Sequence, residues 1–135
     1  MPVRYLLDTN IFIYIRQRRP LGLLAKFQQL TPDEAAISVI TYGKLYYGAE
    51  KSANTPRAKL ELENVMTALP VLPLPAEAGA AYGQIHAGLE RRGERIGGNN
   101  LWIAAHALAD NLILVTNNER EFRRVSGLSI ENWIT

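Results

Sequence analysis

Short apolar runs alternate along this chain with longer stretches in which apolar side chains recur every three or four positions. Val3 to Leu7 reads as a buried strand that ends at Asp8. Thr9 or Asn10 is placed to cap a helix running through Ile11, Ile13, Tyr14 and Ile15, which Pro20 stops. A second short helix is predicted over Leu21 to Leu30. After the Thr31-Pro32-Asp33 turn, Ala35 to Val39 reads as another strand. Helices follow from Ile40 to Ser52 and from Pro56 to Ala68, with Pro56 well placed at a helix start. Val71 to Leu74 is a short strand bracketed by prolines, which suits a position near a sheet edge. The stretch Ala76 to Arg92 predicts a long helix ended by Gly93, with arginines in the last turn where the helix dipole favours them. Asn99 to Ala109 is helical, with Leu101, Ala104, Ala105 and Leu108 on one face. Leu112 to Thr116 is the clearest buried strand, and Ser129 to Ile134 supplies the last.

Short apolar strands alternating with helices predict an α/β fold, a three-layer arrangement around a short central parallel sheet. No internal repeat, low-complexity stretch or linker divides the 135 residues, so residues 1–135 are expected to form a single domain. Ligands of such sheets sit at the carboxyl ends of the strands, near a switch in strand order. The polar residues found just beyond the strands are Asp8, Ser38 and Thr116, and Asn100 opens a helix that can point into the same crevice.

Composition narrows the chemistry. Apolar residues make up 47% and charged residues 21%, an ordinary globular balance, and no apolar run reaches the roughly 18 to 20 residues of a membrane span. The opening MPVRYLLDTN is too short and too acidic for a signal peptide, so a cytoplasmic protein with no membrane role is expected. The absence of cysteine excludes a disulfide scaffold, a thiolate nucleophile and a zinc-thiolate site. Fifteen basic against 13 acidic side chains give a net charge of +2, too small to establish a nucleic-acid partner. The arginines do cluster, at 16, 18 and 19, at 91, 92 and 95, and at 120, 123 and 124. Such clusters track phosphates or simply solvate helix ends.

A carboxylate directly after a buried strand is costly unless paired, hydrogen-bonded or bound to a cation, which marks Asp8. Asp is also a preferred helix cap, and a hard cation needs several oxygen ligands, so Asp8 alone leaves both readings open. Four motifs sharpen the picture: YLLDTNIFIYI, ISVITYGKLYYGAEKS, RIGGNNLWIAAHAL and LILVTNNEREF. In that order and spacing the chain resembles the PIN-domain ribonucleases, and more closely the VapC toxins of bacterial toxin–antitoxin pairs, from Tyr5 to Trp133.

The resemblance implies an α/β/α PIN fold whose carboxylates bind Mg²⁺ or Mn²⁺, activating water for in-line attack on an RNA phosphodiester. It further implies structured RNA as substrate (transfer RNA or a ribosomal RNA loop), a VapB antitoxin threaded into the active-site groove, operator DNA reached only through that antitoxin, and a homodimer. Carried over residue by residue, the first family acid falls on Asp8, with Asn10 completing the DTN. The family's second acid, a Glu, is Lys44 here, and its third, an Asp, is Asn100. The fourth position falls on Asn118, with Thr116 before it and Glu121 a nearby carboxylate able to assist. Asp8 and Asn100 are the expected metal ligands.

Two departures in four positions lead to the expectation that this chain binds a cation weakly and cleaves poorly. Positions 8, 44 and 100 carry −1, +1 and 0 where the family pattern carries three negative charges. With Lys44→Glu the balance becomes 14 basic to 14 acidic, and with Asn100→Asp as well it becomes 14 to 15. The basicity thus owes as much to these two positions as to any phosphate-binding surface. Lys44 shares a helix face with Ile40, Tyr47 and Gly48; either that face lines the groove, where the ammonium must snorkel or pair with Asp8, or it is simply solvated. Arg91, Arg92, Arg95 and Tyr47 are the expected RNA or antitoxin contacts. Tyr42 and Tyr46 are assigned to packing or partner binding, His86 and His106 to packing or surface positions, and Leu101 and Trp102 to the core. The alternative function is a non-catalytic module that pairs with antitoxin and co-represses at operator DNA. A single-strand-binding protein would need aromatics interleaved with basic residues on one face, and no clear stripe of that kind is present.

Overall fold

The computed structural model describes residues 3–18, 20–31, 33–67 and 69–134. Five parallel strands form the sheet: β1 (Tyr5–Leu7), β2 (Ala35–Ser38), β3 (Val71–Leu72), β4 (Ile113–Val115) and β5 (Ile130–Glu131), in the order β3-β2-β1-β4-β5. The chain steps outward from β1 to β3, then returns to place β4 on the other side of β1. The strand order therefore reverses between β1 and β4, and the crevice belongs at their carboxyl ends. Tyr5, Leu6 and Leu7 pair with Ile113, Leu114 and Val115, so the residues that follow the two strands, Asp8 and Thr116, arrive side by side.

The helices are α1 (Thr9–Arg16), α2 (Leu21–Gln28), α3 (Val39–Glu50), α4 (Thr55–Met66), α5 (Glu77–Arg91), α6 (Gly98–Ala109) and α7 (Glu119–Phe122). They cover both faces of the sheet. Because strand side chains alternate, Tyr5, Leu7 and Val115 join Ile11, Phe12, Leu23 and Ile37 in one core. Leu6 and Leu114 join Ile103, Ala104, Phe122 and Val125 in the other. This is the three-layer α/β/α arrangement of the sequence reading. The bracketed strand at Val71 does lie at an edge.

The departures are local. Asp8, not Thr9 or Asn10, caps α1, since its carboxylate accepts from the Thr9 backbone N–H. That helix ends at Arg16, four residues short of Pro20, and Arg18 beyond it has a left-handed φ of 60°. Val39 begins α3 rather than ending β2, because the Ser38 hydroxyl accepts the Ile40 N–H and starts the helix there. β3 and β5 are two residues long, shorter than predicted. The predicted end of α4 at Ala68 lies outside the described residues. α7 had no counterpart in the prediction: only Phe122 of its four residues is buried, too few to show a period.

Candidate active site

Asp8 is 4% exposed, and each of its oxygens has a donor. Oδ1 accepts the Thr9 N–H at 2.7 Å, and Oδ2 accepts the Thr116 hydroxyl at 2.8 Å. One side chain thus caps α1 and ties the end of β1 to the residue that follows β4. Burial raises its pKa above the usual carboxylate value. The Thr116 and Thr9 hydrogen bonds and the Lys44 ammonium oppose that rise, while the charge of Glu121 adds to it.

From Thr116 the network runs into the segment before α7. The Thr116 Oγ1 accepts the Asn118 N–H at 2.9 Å, and Asn118 Nδ2 donates to Glu121 Oε2 at 3.0 Å. Glu121 Oε1 accepts the Gly97 N–H at 2.8 Å, at the cap of α6, and the Asn100 amide lies close enough to favour the ionised carboxylate. Hydrogen bonds from Asn118 and Gly97, with the nearby Asn100 amide, hold Glu121 below the usual carboxylate range. Thus Asp8, Asn100, Thr116, Asn118 and Glu121 converge, drawn from β1, α6, β4 and α7. Glu121, which sequence reading ranked as a helper, is the residue that ties the other segments together.

Lys44 approaches from the other side. The Thr9 and Thr41 hydroxyls lie 3.2 Å apart and hold the start of α1 against the first turn of α3. One turn later Lys44 stands with Asn10, Ile13, Arg16 and Leu45 around a hollow of about 520 Å³. Its side chain is exposed, and among the described residues it forms no ion pair closer than 4 Å, yet it is near enough for its charge to favour ionised Asp8. Lys44 thus lines this hollow with its side chain solvated, and only its charge reaches Asp8.

The remaining expectations divide. Ser38 is the last residue of β2 rather than the residue beyond it; it is fully buried, and its hydroxyl is spent on the Ile40 N–H and on His106 Nδ1 at 2.8 Å. His106 itself is a packing residue, fully buried, with Nε2 3.1 Å from Asp110 Oδ2. Arg92 is bound to Glu94 and to the Arg124 carbonyl, whereas Arg91 and Arg95 are exposed. Tyr47 is 64% exposed, with the Lys51 ammonium over its ring, and does not line the hollow beside Lys44. Leu101 is core, but Trp102 is only half-buried and stacks on Tyr82 at 4.0 Å.

The donor set does not fit a divalent cation. Two carboxylates, Asp8 and Glu121, face two amides and an ammonium, which leaves a net charge of −1 where a hard dication wants several anionic oxygens. Among the described residues no group of three His, Asp or Glu is arranged to hold a metal, and no buried side-chain oxygen lacks a hydrogen-bond partner.

Comparison with known proteins agrees with this architecture. The PIN domain family model matches residues 5–128. A Haemophilus influenzae protein named ribonuclease VapC2 is 45% identical over 132 residues, 98% of this chain and 99% of the relative. The tRNA(fMet)-specific endonuclease VapC of Shigella flexneri is 40% identical over 131 residues, 97% of this chain and 98% of the relative. The crystal structure of DNA-bound VapBC from Salmonella typhimurium superposes with a TM-score of 0.90 at 38% identity, over 97% of this chain and 98% of that one. Together with the crevice at the β1–β4 switch, these matches show that the chain belongs to the PIN-domain family and, within it, to the VapC ribonucleases.

Proposed function

We propose that this chain, one PIN domain over residues 1–135, is a VapC-type RNA endonuclease toxin whose cleavage chemistry is disabled at positions 44 and 100. The observation that carries this reading is the Lys44 ammonium on the Asp8 side of the crevice, with a neutral amide at Asn100. Divalent-cation chemistry of the family kind needs carboxylates at both positions, with Mg²⁺ or Mn²⁺ supplying the activated water. In this chain the charge of Lys44 partly takes the place of the cation as counter-charge to Asp8. The Thr9, Thr116 and Asn118 hydrogen bonds still hold the crevice in shape. What persists is recognition: structured RNA such as a transfer RNA, a VapB-type antitoxin, operator DNA reached through that antitoxin, and a homodimer in the cytoplasm. Among the described residues no helix is long and apolar enough to cross a membrane.

The purely binding reading differs in one respect, since it denies that the fold is still competent once the charges are restored. The test incubates the chain and its Lys44→Glu, Asn100→Asp form with total transfer and ribosomal RNA, with Mn²⁺ or with EDTA. Discrete, EDTA-sensitive cuts by the double variant alone support a disabled nuclease. Silence from a folded double variant on both RNA pools supports the binding module instead.

A further inference from the structure

Beyond the crevice, α7 and the segment joining α5 to α6 form a second charged feature. Arg92, Arg120, Arg123 and Arg124 surround an open hollow of about 500 Å³ whose other lining residues are Glu94 and Ser126. Four guanidinium groups face one carboxylate there. Two of them are fixed in place: Arg92 donates to the Arg124 carbonyl at 2.7 Å and to Glu94 at 2.9 Å, and Arg124 donates to the Arg95 carbonyl. Arg123 is held by Glu119 at 2.7 Å, while Arg120 is exposed and has no ion-pair partner among the described residues.

Resting on the RNA reading above, we propose that this arginine-lined hollow is a backbone-phosphate surface that holds an RNA strand beside the crevice. Guanidinium forks match phosphate oxygens in bidentate geometry, and those already braced by backbone carbonyls lose little freedom on binding. The hollow lacks the apolar centre that a protein partner would bury. One short helix carries both features: in α7, Glu121 bonds Gly97 and Asn118 in the crevice network, while Arg120 and the adjoining Arg123 line the hollow.

The test uses this chain as it stands, whose poor cleavage allows equilibrium binding to be read. A fluorescein-labelled transfer RNA is titrated in EDTA, and its anisotropy is followed from low to moderate salt. Losing two phosphate contacts in the Arg120→Gln, Arg123→Gln protein should weaken binding about tenfold near 0.1 M salt and make the log–log salt slope shallower by roughly 1.4 to 1.8. The Arg120→Lys, Arg123→Lys protein should recover most of the slope. Arg4→Gln, which removes a charge at the opposite end of β1, should leave both quantities unchanged.

An unchanged slope in the double Gln protein overturns the proposal while RNA binding itself stands. So does an equal loss in Arg4→Gln, or a failure of the lysines to restore the slope. Weakened binding of poly-L-glutamate with intact RNA binding assigns the hollow to an acidic protein, and also overturns it. If no folded form binds RNA at any salt concentration, the functional reading above fails, and this surface fails with it.

Discussion

Replacing His106 with Phe keeps a ring in the core but removes both of its hydrogen bonds. His106 bridges α6 to the start of α3 through Ser38, 2.8 Å from Nδ1, and to Asp110, 3.1 Å from Nε2. The carboxylate accepts, so Nε2 carries the proton, and the Ser38 hydroxyl donates to Nδ1 while accepting the Ile40 N–H. Ser38 is fully buried, so His106→Phe leaves its O–H without a partner, at a cost of about 2 kcal/mol. The Asp110 side chain is 35% exposed and regains water, so its loss adds little. For a chain of this length the thermal midpoint should fall by roughly 6–10 °C. Ser38→Ala breaks the same bond from the other side. Removing both polar partners should cost less than the two single changes together, with a coupling of about 1 kcal/mol. The Ser38 cap on Ile40 is lost in both arms of that cycle and cancels.

The same residue sets a pH dependence. Burial lowers the His106 pKa, against the opposing pull of Asp110, so the folded protein keeps the imidazole neutral while the unfolded chain protonates near 6.5. Between the lowered folded value and about 6.5 the unfolded state binds more protons. Stability is therefore full above about 6.5 and declines as pH falls below it. Calorimetry and urea unfolding at pH 7.5 and 5.5 read both effects. A His106→Phe protein as stable as its parent, strictly additive single changes, or an acid-induced loss as large in the variant as in the parent would refute this account of the bridge.

Three other outcomes follow from the site and its support. Phe122→Ala, at a side chain with no exposed surface that anchors α7 on the second core, should cost about 3–5 kcal/mol by denaturant unfolding. Glu121→Ala strips the acceptor from the Gly97 N–H and the Asn118 amide, which solvent partly replaces; hydrogen exchange at Gly97 should accelerate, and stability should fall by about 1–2 kcal/mol. Asp8→Asn removes a buried carboxylate whose folded pKa is raised but also takes the acceptor from the buried Thr116 hydroxyl; the variant's stability relative to the parent should therefore improve as pH rises from about 4 to 7, read by thermal unfolding at both values.

The sheet was legible because its strands are short and apolar and each ends at a polar residue, and the helices because their apolar spacing persists for two turns or more. The boundaries went astray where one hydrogen bond decides them, as at Ser38, whose hydroxyl converts Val39 from a strand residue to the first residue of a helix. A strand-end serine looks the same in sequence whether it faces a crevice or a buried histidine 68 residues away. Most of the site was legible, Asp8 from burial of a charge and the rest from four motifs. The central place of Glu121 was not, because α7 is a single turn and the bonds to Gly97 and Asn118 join segments that no local pattern relates. Trp102 fits a core face by spacing, yet it stacks on Tyr82 at the surface of the α5–α6 pair.

The central claim is that charge at positions 44 and 100 decides whether this crevice holds a divalent cation. Lys44→Glu with Asn100→Asp takes the charge of positions 8, 44, 100 and 121 from −1 to −4. The most direct measurement is calorimetric titration of Mn²⁺ into both proteins, checked by thermal unfolding. The double variant should show saturable binding and gain about 2.7 kcal/mol of stability at a hundred times its Kd. The present chain should show neither up to millimolar Mn²⁺. Saturable binding of equal strength in the present chain, or none in a folded double variant, would contradict the account.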